Sequence, residues 1–319
     1  MTDSEVELLD RRLLFVTGKG GVGKTSIAAS LALLAAQQGK RTLACEIDAK
    51  GDLAGAFETG PLRFEARELG PNLFGMAMDT EESLREYLKL QLKVPFFGRM
   101  GPVARSFDFV ADAAPGVKEI LTVGKLCYEV RERTYDLIVV DASATGHVVG
   151  QLAAPQAINE LVKVGRVRDQ TAWMVDLLSD PAVTAAVIVS APEEMPVNET
   201  IELAERIGKE TDVDLAAVIV NRVLPELFSR GEEEIFDRLH TADGVAFLTG
   251  AVGGNATPVL DAARLAVTLR RTRAGHLTRL RNELPDNLAM LYLPYLFTRS
   301  HGVRVTTQIA EALGEELGF

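Results

Sequence analysis

The 319-residue sequence predicts an α/β fold, a mostly parallel central sheet flanked by helices, with a helical insertion. Three observations lead there. Short apolar, β-branched runs recur along the chain without strict alternation, as strands covered on both faces do. Longer segments with helical spacing separate them, which is the strand–helix alternation of a layered sheet with right-handed crossovers. The first such run is joined to the first helical segment by a glycine-rich loop, Gly18-Lys19-Gly20-Gly21-Val22-Gly23-Lys24-Thr25.

Residues 13–17 (LLFVT) form the first expected strand. Residues 25–38 are rich in Ala and Leu and stop at Gly39, a residue suited to ending a helix. Residues 42–47 form the second strand. Residues 80–133 carry no strong strand signal and are expected to be a helical insertion within one domain spanning 1–319. Strands follow at 137–141, 183–190, 216–221 and 288–293. The segment 196–209 opens on Pro196, suited to a first helical turn, and places Val197, Ile201, Ala204 and Ile207 on one face. Residues 250–257 (GAVGGNAT) are expected to be a surface loop. Residues 262–282 form an Arg-rich amphipathic helix whose basic face reads as solvated. Residues 306–317 close the chain as a helix. Trp173 and Phe96, Phe97, Phe107 and Phe109 read as helix packing, with a partner surface as the other option.

Composition narrows the function. With 47% hydrophobic and 25% charged residues the chain has ample material for a core. The formal net charge of −11 argues against bulk binding of nucleic acid. Cys45 and Cys127 are far apart and lack CxxC spacing, so neither a disulfide framework nor a zinc clasp is expected. They read as buried apolar thiols. No run approaches the ~18 apolar residues of a membrane span. The N-terminus is acidic and lacks the features of a signal peptide, so a cytoplasmic address is expected.

The loop at 18–25 satisfies GxxxxGK[ST] and has the strand before it and the helix after it that this motif requires. Gly18, Gly20, Gly21 and Gly23 let successive backbone N–H groups turn inward around phosphate oxygens, with Val22 between them and Ser26 just beyond. The helix adds its positive end. Lys24 is expected to neutralise the β- and γ-phosphates of ATP, and the Thr25 hydroxyl to hold Mg²⁺. Ligands of open parallel sheets bind beyond the carboxyl ends of the strands. That edge carries Asp48, Asp141, Ser190 and Asn221. Asp141 follows four apolar residues and reads as a carboxylate that holds Mg²⁺ through a bound water. Asp48 is a candidate to orient or deprotonate an attacking water, or else a turn residue. Asn221 offers donor and acceptor to an adenine edge, or else serves a turn.

Lys19 inside the loop makes the motif KGGxGK[ST], which resembles the deviant Walker A loop of SIMIBI-class P-loop NTPases. That class includes partition, division-site and arsenite/tail-anchor ATPases. The resemblance implies a dimer in which Lys19 reaches the partner's nucleotide. Asp141-Ala142-Ser143-Ala144-Thr145-Gly146-His147 resembles DTAPTGH, the second switch of the arsenite-pump and tail-anchored-protein-targeting ATPases. Residues 48–57 are similar to the first switch, DPAHSLSDAF, with Ala49 in place of its proline and Gly51 in place of its histidine. Pro115-Gly116-Val117-Lys118-Glu119 resembles the PGIDE element. Asn221-Arg222 resembles the adenine motif, and Leu293-Pro294 the start of a nucleotide-covering loop.

The family therefore implies catalytic roles for Lys19, Lys24 and Asp48. It implies nucleotide contacts from residues 18–26, Asn221, Arg222 and Pro294, and metal contacts from Thr25 and Asp141. The seven Met are scattered and only a short stretch follows His147 before the next strand, so no membrane-helix groove is expected. The bacterial, anion-transporting branch fits best. The expected function is a dimeric, slowly hydrolysing ATP switch, paired with itself or with a paralogue, acting on a protein or membrane-transport partner. The alternatives are a partition-type ATPase, against which the acidic C-terminus counts, and a nucleotide-binding regulatory subunit with little turnover.

Overall fold

The computed structural model describes residues 7–48, 50–92, 116–161, 166–226, 228–297 and 302–319. Eight strands form one sheet in the order β3-β4-β2-β5-β1-β6-β7-β8. They are β1 Leu13–Gly18, β2 Thr42–Glu46, β3 Arg67–Gly70, β4 Leu73–Ala77, β5 Leu137–Asp141, β6 Thr184–Ser190, β7 Asp214–Val223 and β8 Ala289–Pro294. Every pairing is parallel except the β3–β4 hairpin at one edge. β1, β2, β5 and β6 are buried at every residue, which is why their interiors are apolar, with polar residues confined to their ends.

Alternate residues of each strand serve different cores. Leu14 and Val16 face one layer, with Ile27 and Leu31 of α1 (Lys24–Gln37) and Ile309 and Leu313 of α11 (Val303–Leu317). Leu13 and Phe15 face the other layer. That layer draws Leu126 from α4 (Val117–Glu132), Leu152 from α5 (Thr145–Leu161), Met174 from α6 (Arg166–Ser179) and Leu203 from α7 (Glu194–Glu210). α1 is wedged between the sheet and α11, so it is apolar around most of its circumference, and its buried Ser30 donates to the Thr306 carbonyl at 2.9 Å.

Four elements differ from the sequence expectation, two strands and two helices. β3 and β4 give no strong strand signal. β3 is a short, polar edge strand, and β4 contains Gly75, where a Cβ would lie 2.6 Å from the Leu69 side chain. Pairing with β2, from Thr42↔Leu73 to Glu46↔Ala77, makes β4 a strand. The expected loop at 250–257 is shorter, residues 253–256: α9 (Ala242–Val252) runs to Gly253, which ends it with φ +68°. α10 (Thr257–Glu283) begins earlier than expected, with Pro258 in its first turn. α9 and α10 pack with α8 (Arg230–Leu239) around Phe236, Leu260 and Val267 in a separate small core.

Of residues 80–133, expected to be a helical insertion, α3 (Thr80–Leu92) and α4 are described, while Phe96, Phe97, Phe107, Phe109 and Pro115 lie outside the described residues. α2 (Asp52–Ala56) is a short helix after β2. Trp173 packs under the Arg131 guanidinium, 5.2 Å from its ring centre. Both cysteines are buried, and burial pushes their thiols well above the usual range.

Candidate nucleotide site

β1 lies where the chain reverses its direction of travel across the sheet, with β5 on one side and β6 on the other. A crevice forms at such a point. Here the loop after β1 floors a cleft of 580 Å³ whose lining includes Gly20, Gly21, Gly23, Lys24, Thr25, Ser26, Asp48 and Asp141. Two glycines are required by their surroundings. At Gly18, with φ +142°, a Cβ would stand 2.1 Å from the Val189 carbonyl oxygen on β6. At Gly23, with φ +99°, it would stand 2.5 Å from the Asn221 amide nitrogen. Gly23 is also the N-cap of α1 and offers no side-chain acceptor, so the first-turn amides face the cleft as an anion-binding end.

Lys24 is partly buried in this cleft. Desolvation pulls its ammonium pKa below the usual lysine value despite nearby Asp141, and it donates to the Lys19 carbonyl at 3.5 Å. A phosphate would supply the missing negative partner. Thr25 Oγ1 donates to Asp141 Oδ2 at 2.6 Å. Asp141 Oδ1 is buried and has no hydrogen-bond partner among the described residues. Burial, more than any neighbour, pushes the Asp141 carboxyl up to about 6. An orphaned carboxylate oxygen beside a threonine hydroxyl is a hard, anionic donor set, and it fits Mg²⁺.

Asp48 follows β2 on a bend. Its Oδ1 accepts from Ser143 Oγ at 2.8 Å, and its Oδ2 lies 3.5 Å from Lys50. Glu46, buried one pleat earlier, accepts from the backbone N–H groups of Gly51 (3.2 Å) and Asp52 (3.0 Å), holding the start of α2. Gly51 takes φ +83° there. Lys19 does not line the cleft. It forms an ion pair with Glu199 on α7, and the other Glu199 oxygen accepts from Thr145 Oγ1 at 3.2 Å.

Other expected positions fall elsewhere. Ser190 is buried and accepts from Thr200 Oγ1 at 2.9 Å, so it faces α7 and not the cleft. Asn221 lies beneath the loop: Nδ2 donates to the Val22 carbonyl and Oδ1 accepts from the Arg222 N–H, each at 2.9 Å. Asn221, Arg222 and Pro294 are all outside the cleft lining. Gly302, Val305 and Thr306, from the start of α11, line it instead. Sequence reading missed these three together with Glu46, Ser143, Gln151 and Glu199. A carboxylate inside the apolar strand β2 was a usable signal for Glu46; a glutamate on the amphipathic helix α7 gave none.

Comparison with known proteins places the chain in a family. The family model for anion-transporting ATPases matches residues 11–176 and 163–241. The ATPase BagA of Mycobacterium tuberculosis is 32% identical over 330 residues, covering 96% of this chain and 93% of that protein. The ATPase get3 of Neurospora crassa is 32% identical over 169 residues, 51% of this chain and 50% of its own length. An ASNA1 homologue of Paramecium tetraurelia is 26% identical over 251 residues, 66% and 74% of the two chains. The matched residues include β1, its glycine loop, the bend after β2 and the segment after β5, which line much of the cleft, and the chain belongs to the anion-transporting ATPase family.

Proposed function

We propose that this protein is a dimeric switch that binds and hydrolyses Mg·ATP and passes the resulting change in shape to a protein or membrane-transport partner. The pairing of Thr25 with a half-satisfied Asp141 at the mouth of the glycine loop carries this reading. Loop amides and the α1 N-terminus hold the β-phosphate, and Lys24 draws charge from the γ-phosphate. Thr25 and Asp141 hold Mg²⁺, which when bound supplies positive charge to the phosphate oxygens. Asp48 orients the attacking water. Lys19, once released by Glu199, reaches the nucleotide of the partner, a second copy or a paralogue. Reading of adenine by Asn221 and Arg222, under a loop beginning at Pro294, requires the Asn221 amide to leave Val22.

A partition-type role is less well supported. The apolar face of α11 is occupied against α1 through Ile309, Ala310 and Leu313, so it is not free to enter a membrane. Among the described residues no helix is long and apolar enough to cross one. The test is phosphate release together with mass in solution, with and without Mg·ATP. Wild type is expected to turn over slowly and to dimerise with ATP. Lys24→Ala should lose at least a hundredfold in turnover, and Lys19→Ala should bind ATP yet remain monomeric. Hydrolysis untouched by Lys24→Ala would refute the proposal.

A further inference from the structure

Asp48 stands on a bend, partly open to solvent, with no helix or strand to fix its side chain. Among the described residues two groups reach it, the exposed Lys50 at Oδ2 and the buried Ser143 at Oδ1. Ser143 Oγ donates to Asp48 Oδ1 at 2.8 Å, and Gln151 Nε2 of α5 donates to that same Ser143 oxygen at 3.2 Å. A serine hydroxyl has one proton and two lone pairs. With Gln151 occupying a lone pair, the proton is directed at Asp48. Ser143 and Gln151 are both buried, so water does not compete readily for these bonds.

The backbone of Ser143 is anchored as well. Its carbonyl accepts from Thr17 Oγ1 at 3.0 Å, at the end of β1 and next to the phosphate loop, and the neighbouring Ala142 N–H donates to the Val16 carbonyl at 3.0 Å. Ser143 is therefore rigid with respect to the site that would hold phosphate, whereas Asp48 by itself is not. One Asp48 oxygen is fixed and the carboxylate's second oxygen is left toward Lys50 and the cleft. The family segment resembled here has alanine at this position, which has no hydroxyl to offer.

We infer that Ser143, backed by Gln151, is a positioning residue for Asp48, joining the segment after β5 to the bend after β2 so that a shift of α5 moves the group that orients water. This rests on the proposed ATPase reading. A merely structural hydroxyl would affect stability or nucleotide binding; a positioning hydroxyl affects turnover.

Steady-state phosphate release and nucleotide affinity are measured on the full chain for wild type, Ser143→Ala, Gln151→Met and the double variant. Ser143→Ala is expected to lower kcat roughly tenfold, the scale of a hydrogen bond to a charged group, with KM for ATP changed less than about twofold. Gln151→Met should lower kcat less. The double variant should match Ser143→Ala alone, because Gln151 acts through Ser143. Unchanged kcat in Ser143→Ala, or losses that multiply in the double variant, would overturn the inference while leaving the ATPase reading standing. A folded wild type that binds Mg·ATP and never turns it over, with or without a partner, would overturn both.

Discussion

Asp141 shows how burial prepares a group for a ligand. In an unfolded chain its carboxyl titrates near 3.8; in the fold it rises to about 6. The folded state therefore holds the proton more tightly, and between about pH 4 and 6 the unfolded chain releases its proton first. The contribution of this group to stability falls as pH rises through that window and is level above it. Under the proposed function, protons and Mg²⁺ would compete for the same oxygens. Denaturation of the metal-free protein, followed against pH, is expected to show this loss, and Asp141→Asn should flatten it and leave the variant the more stable of the two at pH 7.5. In the same variant Mg²⁺ should no longer tighten nucleotide binding, whereas in wild type that effect should fade below about pH 6. A second residue-scale test is Gly18→Ala. Its methyl meets the Val189 carbonyl, which is fixed in the sheet, so a loss of about 2 kcal/mol or more in chemical denaturation is expected.

Between elements, carboxylates tie loops to helices. Glu46 of β2 caps the backbone that begins α2, and Glu199 of α7 joins Lys19 of the phosphate loop to Thr145 of α5. The second tie keeps Lys19 on its own chain. If that lysine serves a neighbour's nucleotide, the tie opposes dimerisation. Glu199→Gln is expected to increase the ATP-bound dimer fraction in sedimentation at a fixed protein concentration. An unchanged or smaller fraction would show that the pair has no such part. α1 and its loop were readable from residues alone, because the glycine pattern, Lys24 and the apolar run dictate backbone and burial locally. β4 was not, because its strand character comes from β2, some thirty residues earlier, nor was β3, a short polar edge strand held by pairing with β4.

Across the whole molecule, α11 closes one layer of the fold on α1. Leu313 is fully buried there, and Leu313→Ala is expected to cost about 2–5 kcal/mol in equilibrium denaturation without giving the protein affinity for lipid vesicles. Vesicle binding by the intact chain would instead mean that this helix leaves its place. Sequence alone determined the α/β class, the phosphate loop and the positions of Lys24, Thr25, Asp48 and Asp141, since each depends on short-range pattern or on a strand end. Tertiary structure decided which polar groups meet: Ser143 with Asp48, Glu199 with Lys19, Asn221 with Val22, and Gly302 to Thr306 as a cleft wall. These partners lie tens to hundreds of residues apart, and only the order of the strands brings them within hydrogen-bond reach.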